Sequence, residues 1–98
     1  MTSPLLPLKY RQDIDRAIEI LTSAGCKEVF VFGSIVEGGT TDASDIDLAI
    51  RGCPPGRFFQ LLGKLLLELH HPVDLVDLDR EKAFGEHLQK EGALVRVS

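Results

Sequence analysis

The sequence predicts one small domain of the α/β (α+β) class, in which a small mixed β-sheet is flanked by helices. Its 98 residues suffice for one hydrophobic core, so we expect a single domain over residues 1–98. The composition, 44% hydrophobic and 27% charged residues, is that of an ordinary globular domain. Along the chain, segments with helical periodicity alternate with short strand-like segments.

The first half of the chain predicts one helix and two strands. Apolar residues recur at helical spacing from about Leu8 to Ala24. The run Val-Phe-Val-Phe at 29–32 predicts a strand that is buried on both faces and ends at Gly33. A turn and loop should occupy 34–44. Residues 45–51 then alternate between polar and apolar, which predicts a strand with one face on the core and carboxylates on the other face at its start.

The second half predicts two further helices and one or two strands. A strongly amphipathic helix is expected from about Pro55 to His70, covering one face of the sheet. Residues 73–78 predict a third strand, and a helix should follow from about Arg80 to Glu91. Residues 93–97 can add a short strand. The pattern leaves the order of the strands in the sheet open.

Charge and hydropathy exclude several classes of function. Eleven Lys and Arg stand against 15 Asp and Glu, a formal net charge of -4, so a basic face for long nucleic acids is not expected. Apolar stretches such as 65–67 are far shorter than the roughly 18 residues of a membrane span. Because residues 1–10 also lack the pattern of a secretory leader, we expect a cytoplasmic protein. Cys26 and Cys53 lack metal or redox spacing and are expected to be reduced, buried thiols.

The residues that suggest chemistry lie where the first strand ends and the second begins. Gly33-Ser34 is followed, after ten residues, by Asp45-Ile46-Asp47, and Asp74 lies on a later strand. A glycine at the end of a buried strand lets backbone approach a ligand closely, and a serine beside unpaired backbone N–H groups suits a phosphate. Carboxylates two residues apart on a strand project from one face.

Carboxylates grouped in this way favour a divalent cation, because they repel one another unless a cation neutralises them. Oxygen ligands select Mg²⁺, with Mn²⁺ as the alternative, over zinc. Two such ions can activate an attacking hydroxyl and stabilise a leaving phosphate oxygen. The arrangement therefore predicts metal-dependent phosphoryl or nucleotidyl transfer.

The segment from Gly33 to Asp47, with its Gly-Ser, ten-residue and Asp-x-Asp spacing, resembles the minimal nucleotidyltransferases of the DNA polymerase beta superfamily. The resemblance implies a nucleotidyltransferase fold over most of the chain. It also implies that Asp45 and Asp47 bind two Mg²⁺ ions, with Asp47 bridging them. Asp74 would be the third carboxylate, which binds one of the ions and helps to deprotonate the acceptor hydroxyl. Gly33 and Ser34 would hold the β and γ phosphates of a nucleoside triphosphate, ATP in the first instance.

Two features leave the assignment of site residues open. Many relatives carry an arginine three positions after the motif serine, where this chain has Glu37. Either another cation, such as Arg51 or Arg57, replaces that arginine, or nucleotide affinity is weak. Asp77 is expected on the same face as Asp74 and competes with it for the third-carboxylate role.

The resemblance also implies a partner. Such short chains are similar to the antitoxin half of two-gene modules, in which the nucleotidyltransferase adds AMP to a tyrosine of a HEPN-domain ribonuclease. The alternative is a catalytically weak or inactive module that neutralises its partner by contact. A homo-oligomer is also compatible with the small size, because a second copy could complete the nucleotide site.

Histidines are not expected to bind metal. His70 and His71 fall at the end of the predicted second helix, where the helix dipole favours a cation, so a structural capping role is expected for them.

Overall fold

The computed structural model describes residues 8–33 and 45–98, in which three helices pack against one four-stranded sheet. The predicted α+β class with a small mixed sheet is confirmed. The elements are α1 (Leu8–Ser23), β1 (Glu28–Phe32), β2 (Ile46–Arg51), α2 (Phe58–Glu68), β3 (Val73–Asp77), α3 (Lys82–Lys90) and β4 (Val95–Arg96). None of the helices in these ranges is long and apolar enough to cross a bilayer.

The sheet has the strand order β3-β2-β1-β4, which the sequence had left open. β1 pairs antiparallel with β2 and with β4, whereas β2 and β3 run parallel. Parallel pairing requires a crossover, and α2 supplies it. As a result, β1 ends at the same edge of the sheet at which β2 and β3 begin.

Both faces of the sheet are buried, but by different elements. Alternate residues of β1, β2 and β3, such as Val31, Leu48 and Leu75, join the larger core with α1 and α2. The opposite face forms a smaller core that contains Phe30, Ala49 and Leu88 of α3. The prediction that β1 is buried on both faces is therefore confirmed. The second face of β2 is more covered than expected, because Ala49 is fully buried.

The buried carboxylate of Asp13 joins α1 to the connection between α2 and β3. Asp13 is 3% exposed and accepts hydrogen bonds from the backbone N–H groups of His70 and His71, at 2.9–3.0 Å. The Nδ1 atom of His71 lies 2.8 Å from the same carboxylate, and the His71 ring packs on Tyr10. Burial opposes ionisation of Asp13, but these hydrogen bonds together lower its pKa. Sequence patterns gave no sign of this contact.

The end of α2 follows from that contact. The predicted helix to His70 is too long, because α2 ends at Glu68 and Leu69 has an extended backbone. The N–H groups of His70 and His71 are bonded to Asp13 rather than to the preceding turn of the helix. The expected capping of the helix end by the two histidines is not what the structure shows, because both lie beyond the last turn of α2. His70 contacts Asp13 through its backbone N–H, and His71 contacts it through both its backbone N–H and its ring.

Cys26 and Cys53 form a disulfide, so the expectation of two reduced thiols is wrong for this structure. The antiparallel register places Glu28 opposite Arg51, and the N–H of Lys27 donates to the carbonyl of Arg51. Residues just before β1 and just after β2 are therefore neighbours. A separation of 27 residues in sequence concealed this proximity. Cys26 is nevertheless buried, as predicted.

Candidate active site

Two of the predicted carboxylates lie side by side where β2 and β3 begin. The parallel register pairs Asp47 with Asp74. The neighbouring residues Leu48 and Leu75 point into the larger core, so both carboxylates project from the opposite face, on which α3 packs. Asp45 is exposed and immediately precedes β2. The structure thus brings the carboxylates of Asp47 and Asp74 to one edge of the sheet, with Asp45 beside them.

Gly33 lies against the carboxylate of Asp47. Its φ of +81° belongs to the left-handed region that favours glycine. A Cβ atom at this position would overlap Oδ2 of Asp47 and lie 3.0 Å from its Cγ. Gly33 directly follows β1, whose last residue, Phe32, pairs with Asp47 in the sheet register. The glycine and the Asp-x-Asp of the sequence motif are therefore in contact in the fold.

The electrostatic environment of Asp47 opposes its ionisation. Burial raises the pKa of Asp47, and the negative charges of Asp74 and Asp45 raise it further. The same like charges that disfavour the ionised carboxylate would favour a bound cation. This edge of the sheet is thus suited to positive charge.

Asp77 is separated from these carboxylates, and the expectation that it shares a face with Asp74 is wrong. Asp77 lies three positions after Asp74 on β3, and side chains at an odd spacing along a strand point to opposite faces. The register pairs Asp77 with Ile50, at the far end of β2. Between the two candidates, Asp74 is the one next to Asp47.

Arg51 and Arg57, named as examples of cations that could replace the family arginine, lie far from the carboxylates. Arg51 ends β2, about 13 Å along the strand from Asp47 at about 3.3 Å per residue. It pairs with Glu28 at 3.7 Å and lies over the ring of Phe30. Arg57 precedes α2 and lines a cavity with α1 residues, on the other side of the sheet. Ser34 and Glu37 lie outside the described residues.

Comparison with known proteins agrees with this geometry. A family model described as Polymerase beta, Nucleotidyltransferase matches residues 12–97, which is most of the chain. The chain belongs to this nucleotidyltransferase family. No curated protein matches it.

A solved structure described as "Crystal structure of the toxin-antitoxin with AMP-PNP" contains a chain similar to this nucleotidyltransferase-family domain. The TM-score is 0.53 and the sequence identity is 28%. The similarity covers 69% of this chain and 56% of the other chain, so this chain spans little more than half the length of that relative. The predicted nucleotidyltransferase fold is thereby confirmed.

The carboxylates of this nucleotidyltransferase-family domain offer the donor chemistry that Mg²⁺ requires. Among the described residues, no group of three or more His, Cys, Asp or Glu side chains is close enough to form a complete metal site. Asp47 and Asp74 nevertheless provide oxygen donors from adjacent strands. Burial and, after it, the negative charges of Asp74 and Asp45 raise the pKa of Asp47, and a cation would relieve the repulsion between these charges. The residues present fit a divalent cation whose remaining ligands come from elsewhere, such as phosphate oxygens.

An aromatic pair beside the carboxylates had no sequence signal. Phe32, the β1 residue opposite Asp47, packs edge-to-face on Phe84 of α3, with ring centroids 5.7 Å apart. Phe84 is 39% exposed and so presents apolar surface on the carboxylate face of the domain. Only the packing of α3 brings the two rings together, which is why the sequence pattern did not reveal them.

A cavity of about 540 Å³ lies at the other end of the sheet. It is lined by Ile50 and Asp77, where β2 and β3 end, by residues of the connection to α2, and by Phe58 at the start of α2. Although it is large enough for a small ligand, it contains none of Gly33, Asp45, Asp47 or Asp74. We therefore place the candidate active site at the carboxylate edge and not in this cavity.

Proposed function

We propose that this domain is a Mg²⁺-dependent nucleotidyltransferase that transfers AMP from ATP to a hydroxyl group of a partner protein or small molecule. The observation that carries the proposal is the meeting of Asp47 with Asp74 on adjacent strands, in contact with the Gly33 corner. Membership of the polymerase beta nucleotidyltransferase family supports the same class of reaction.

Each residue has a defined task in this proposal. Asp45 and Asp47 would hold two Mg²⁺ ions, and Asp74 would hold one of them and accept the proton of the attacking hydroxyl. Gly33 and Ser34 bind the β and γ phosphates. When bound, the ions lower the pKa of the hydroxyl and neutralise charge on the departing pyrophosphate. The new bond joins the acceptor oxygen to the α-phosphorus, and the bond to the β-phosphate oxygen breaks.

The partner we propose is the HEPN-domain ribonuclease of a two-gene toxin–antitoxin module, with a tyrosine hydroxyl as the acceptor. The solved relative is a toxin–antitoxin structure with an ATP analogue, which supports both an antitoxin role and adenine nucleotide binding. A cytoplasmic location would suit this pairing, because both ATP and the RNA substrates of such a ribonuclease are found there.

The test is transfer of label. The purified domain, its adjacent-gene product, Mg²⁺ and α-labelled ATP are incubated together, and the products are separated by denaturing electrophoresis. We expect label on the adjacent-gene product, almost none with Asp47→Asn, and wild-type labelling with Asp15→Asn, which removes an exposed carboxylate of α1. If the wild-type domain transfers no label, the proposed reaction is wrong.

A second candidate is a module that neutralises its partner by contact alone. It is favoured by Glu37 in place of the family arginine, together with the positions of Arg51 and Arg57 far from the carboxylates. The two candidates differ in the behaviour of the double variant Asp45→Asn with Asp47→Asn. Protection against the ribonuclease that survives in this variant indicates contact, and protection that is lost indicates catalysis.

A further inference from the structure

The second helix of the domain has an apolar face that points away from the core. Among the described residues, Phe59 of this face contacts the ring of Phe58 and lines the cavity at the end of the sheet. α2 buries Leu61 and Leu65 in the larger core. On its outer side, Phe59, Leu66 and Leu67 are 78%, 53% and 88% exposed. These three side chains and Gly63 follow the spacing i, i+4, i+7 and i+8, which forms one continuous stripe about 100° wide on a helix. We call Phe59, Gly63, Leu66 and Leu67 the outer stripe.

A helix that is apolar on two sides normally lies between two packed layers. Here the sheet provides one layer only. The outer stripe contains no charged residue, and Gln60 and Lys64 border it along one side. In a chain with 27% charged residues, this concentration of exposed apolar side chains indicates an interface.

The outer stripe is complementary to itself. Gly63 lies four residues from both Phe59 and Leu67, about 6 Å along the helix axis in each direction. A Cβ atom at Gly63 would have no neighbour within 4 Å, so another backbone could approach this point closely. We propose that a second copy of this chain docks on the outer stripe, with α2 antiparallel to α2 of the first copy. The two-fold axis passes at Gly63 and places Phe59 of each copy over Leu67 of the other.

The size of the stripe sets the expected affinity. Its exposed side chains present on the order of 400 Å² of apolar surface per copy, given about 150–250 Å² for one aromatic side chain. Two copies together then bury on the order of 800 Å², about two-thirds of the roughly 1,200 Å² at the lower limit of standard stable interfaces. We therefore expect a weak dimer that dissociates on dilution through the micromolar range.

This pairing does not interfere with the candidate active site. α2 packs on the face of the sheet that carries the larger core, whereas Asp47 and Asp74 project from the other face. Both sets of carboxylates stay accessible in the dimer. The inference therefore does not depend on the proposed function.

Sedimentation velocity over a concentration series tests the dimer directly. We expect wild-type protein to shift from monomer to dimer, and Leu67→Lys to weaken association by about tenfold or more because a charge replaces a buried leucine. Gln89→Lys, an exposed position on α3, adds the same charge and should leave association unchanged. Gly63→Leu should keep or raise the melting temperature, because the site is open in the monomer, but prevent close pairing. A wild-type chain that stays monomeric, or variants that dimerise like wild type, would overturn the proposal.

Cross-linking tests the two-fold register. In Gly63→Cys the two introduced thiols would face each other across the axis, so mild oxidation should give a covalent dimer in high yield. Gln89→Cys, which lies away from the stripe, should cross-link poorly at the same concentration. Equal yields from the two variants would contradict the antiparallel register.

Discussion

Gly33 and Asp47 constrain each other at the level of single atoms, since the carboxylate occupies the place of a Cβ at Gly33. Replacing this glycine should therefore damage both the backbone and the site. Gly56 provides a matched comparison, because its φ of +78° is nearly the same but a Cβ there would meet nothing within 4 Å.

We expect Gly56→Ala to lose about 1–2 kcal/mol of stability, the cost of the left-handed backbone for a residue with a side chain. Gly33→Ala should lose more and should also displace Asp47. Urea denaturation measures the first effect, and calorimetric titration with Mg²⁺ and ATP measures the second. Equal losses of stability and equal nucleotide binding in the two variants would refute the role given to Gly33.

Asp47 also predicts an unusual dependence of stability on pH. The pKa of Asp47 is higher in the folded protein than in the unfolded chain, so ionisation of Asp47 opposes folding. The protonated carboxyl therefore contributes stability below the unfolded pKa, and this contribution is lost as the pH rises through the folded pKa. Asp47→Asn lacks this loss. At neutral pH without divalent cations, we expect the variant to melt at the same temperature as wild type or higher, whereas added Mg²⁺ should stabilise only the wild type. Thermal melts of both proteins across a pH series check this, and a clear destabilisation of the variant would contradict it.

Among the secondary-structure elements, the attachment of α1 to the α2–β3 connection depends on Asp13. Asp13→Asn should lower the free energy of unfolding by about 2–4 kcal/mol at neutral pH, because an amide cannot accept all of the hydrogen bonds that the buried carboxylate receives. The lowered pKa of Asp13 means that its stabilisation is present above the unfolded pKa and disappears as the pH falls through the folded pKa. Urea denaturation at several pH values should show this acid-dependent loss in the wild type and a smaller one in the variant. Asp15→Asn, exposed on the same helix, should behave like wild type.

Local patterns predicted the elements well but not their ends. The periodicity of α1 and the apolar run of β1 are properties of neighbouring residues, so the sequence reveals them. The end of α2 is determined by Asp13, more than 50 residues earlier in the chain, and no local pattern contains that information. The wrong prediction that Asp77 shares a face with Asp74 has a different origin. Side chains alternate between the two faces of a strand, so residues at an odd spacing lie on opposite faces.

For the molecule as a whole, the Cys26–Cys53 disulfide covalently joins the region just before β1 to the region just after β2. Reduction should destabilise the fold by about 3–4 kcal/mol, the value expected for a separation of 27 residues in sequence. Urea denaturation with and without a reductant measures this difference, and Cys53→Ser should make the protein insensitive to the reductant. An identical unfolding midpoint of the wild type in both conditions would exclude a stabilising disulfide.

The cytoplasmic location expected from the sequence would keep the two cysteines reduced. Alkylation of thiols in fresh lysate would report whether the reduced or the disulfide form exists.

The contact between Gly33 and Asp47 was largely predictable from the number of residues between them. That spacing is the length of one strand-loop-strand unit, and the two residues meet wherever the unit forms. The match of Asp74 with Asp47 additionally required the parallel register, which only the assembled sheet provides. The positions of Arg51, Arg57 and the two cysteines depend on which strand ends are neighbours, and the strand order was not evident from the sequence.

The disulfide and the carboxylates lie at opposite ends of the β1–β2 pair. The covalent link holds the strands where β1 begins, while Gly33 and Asp47 lie where β1 ends. Fluctuations in strand separation should therefore be smallest at the cysteines and grow toward the acidic end. That gradient would make the contact between Gly33 and the carboxylate of Asp47 the most adjustable part of the β1–β2 pair, while the opposite end stays fixed.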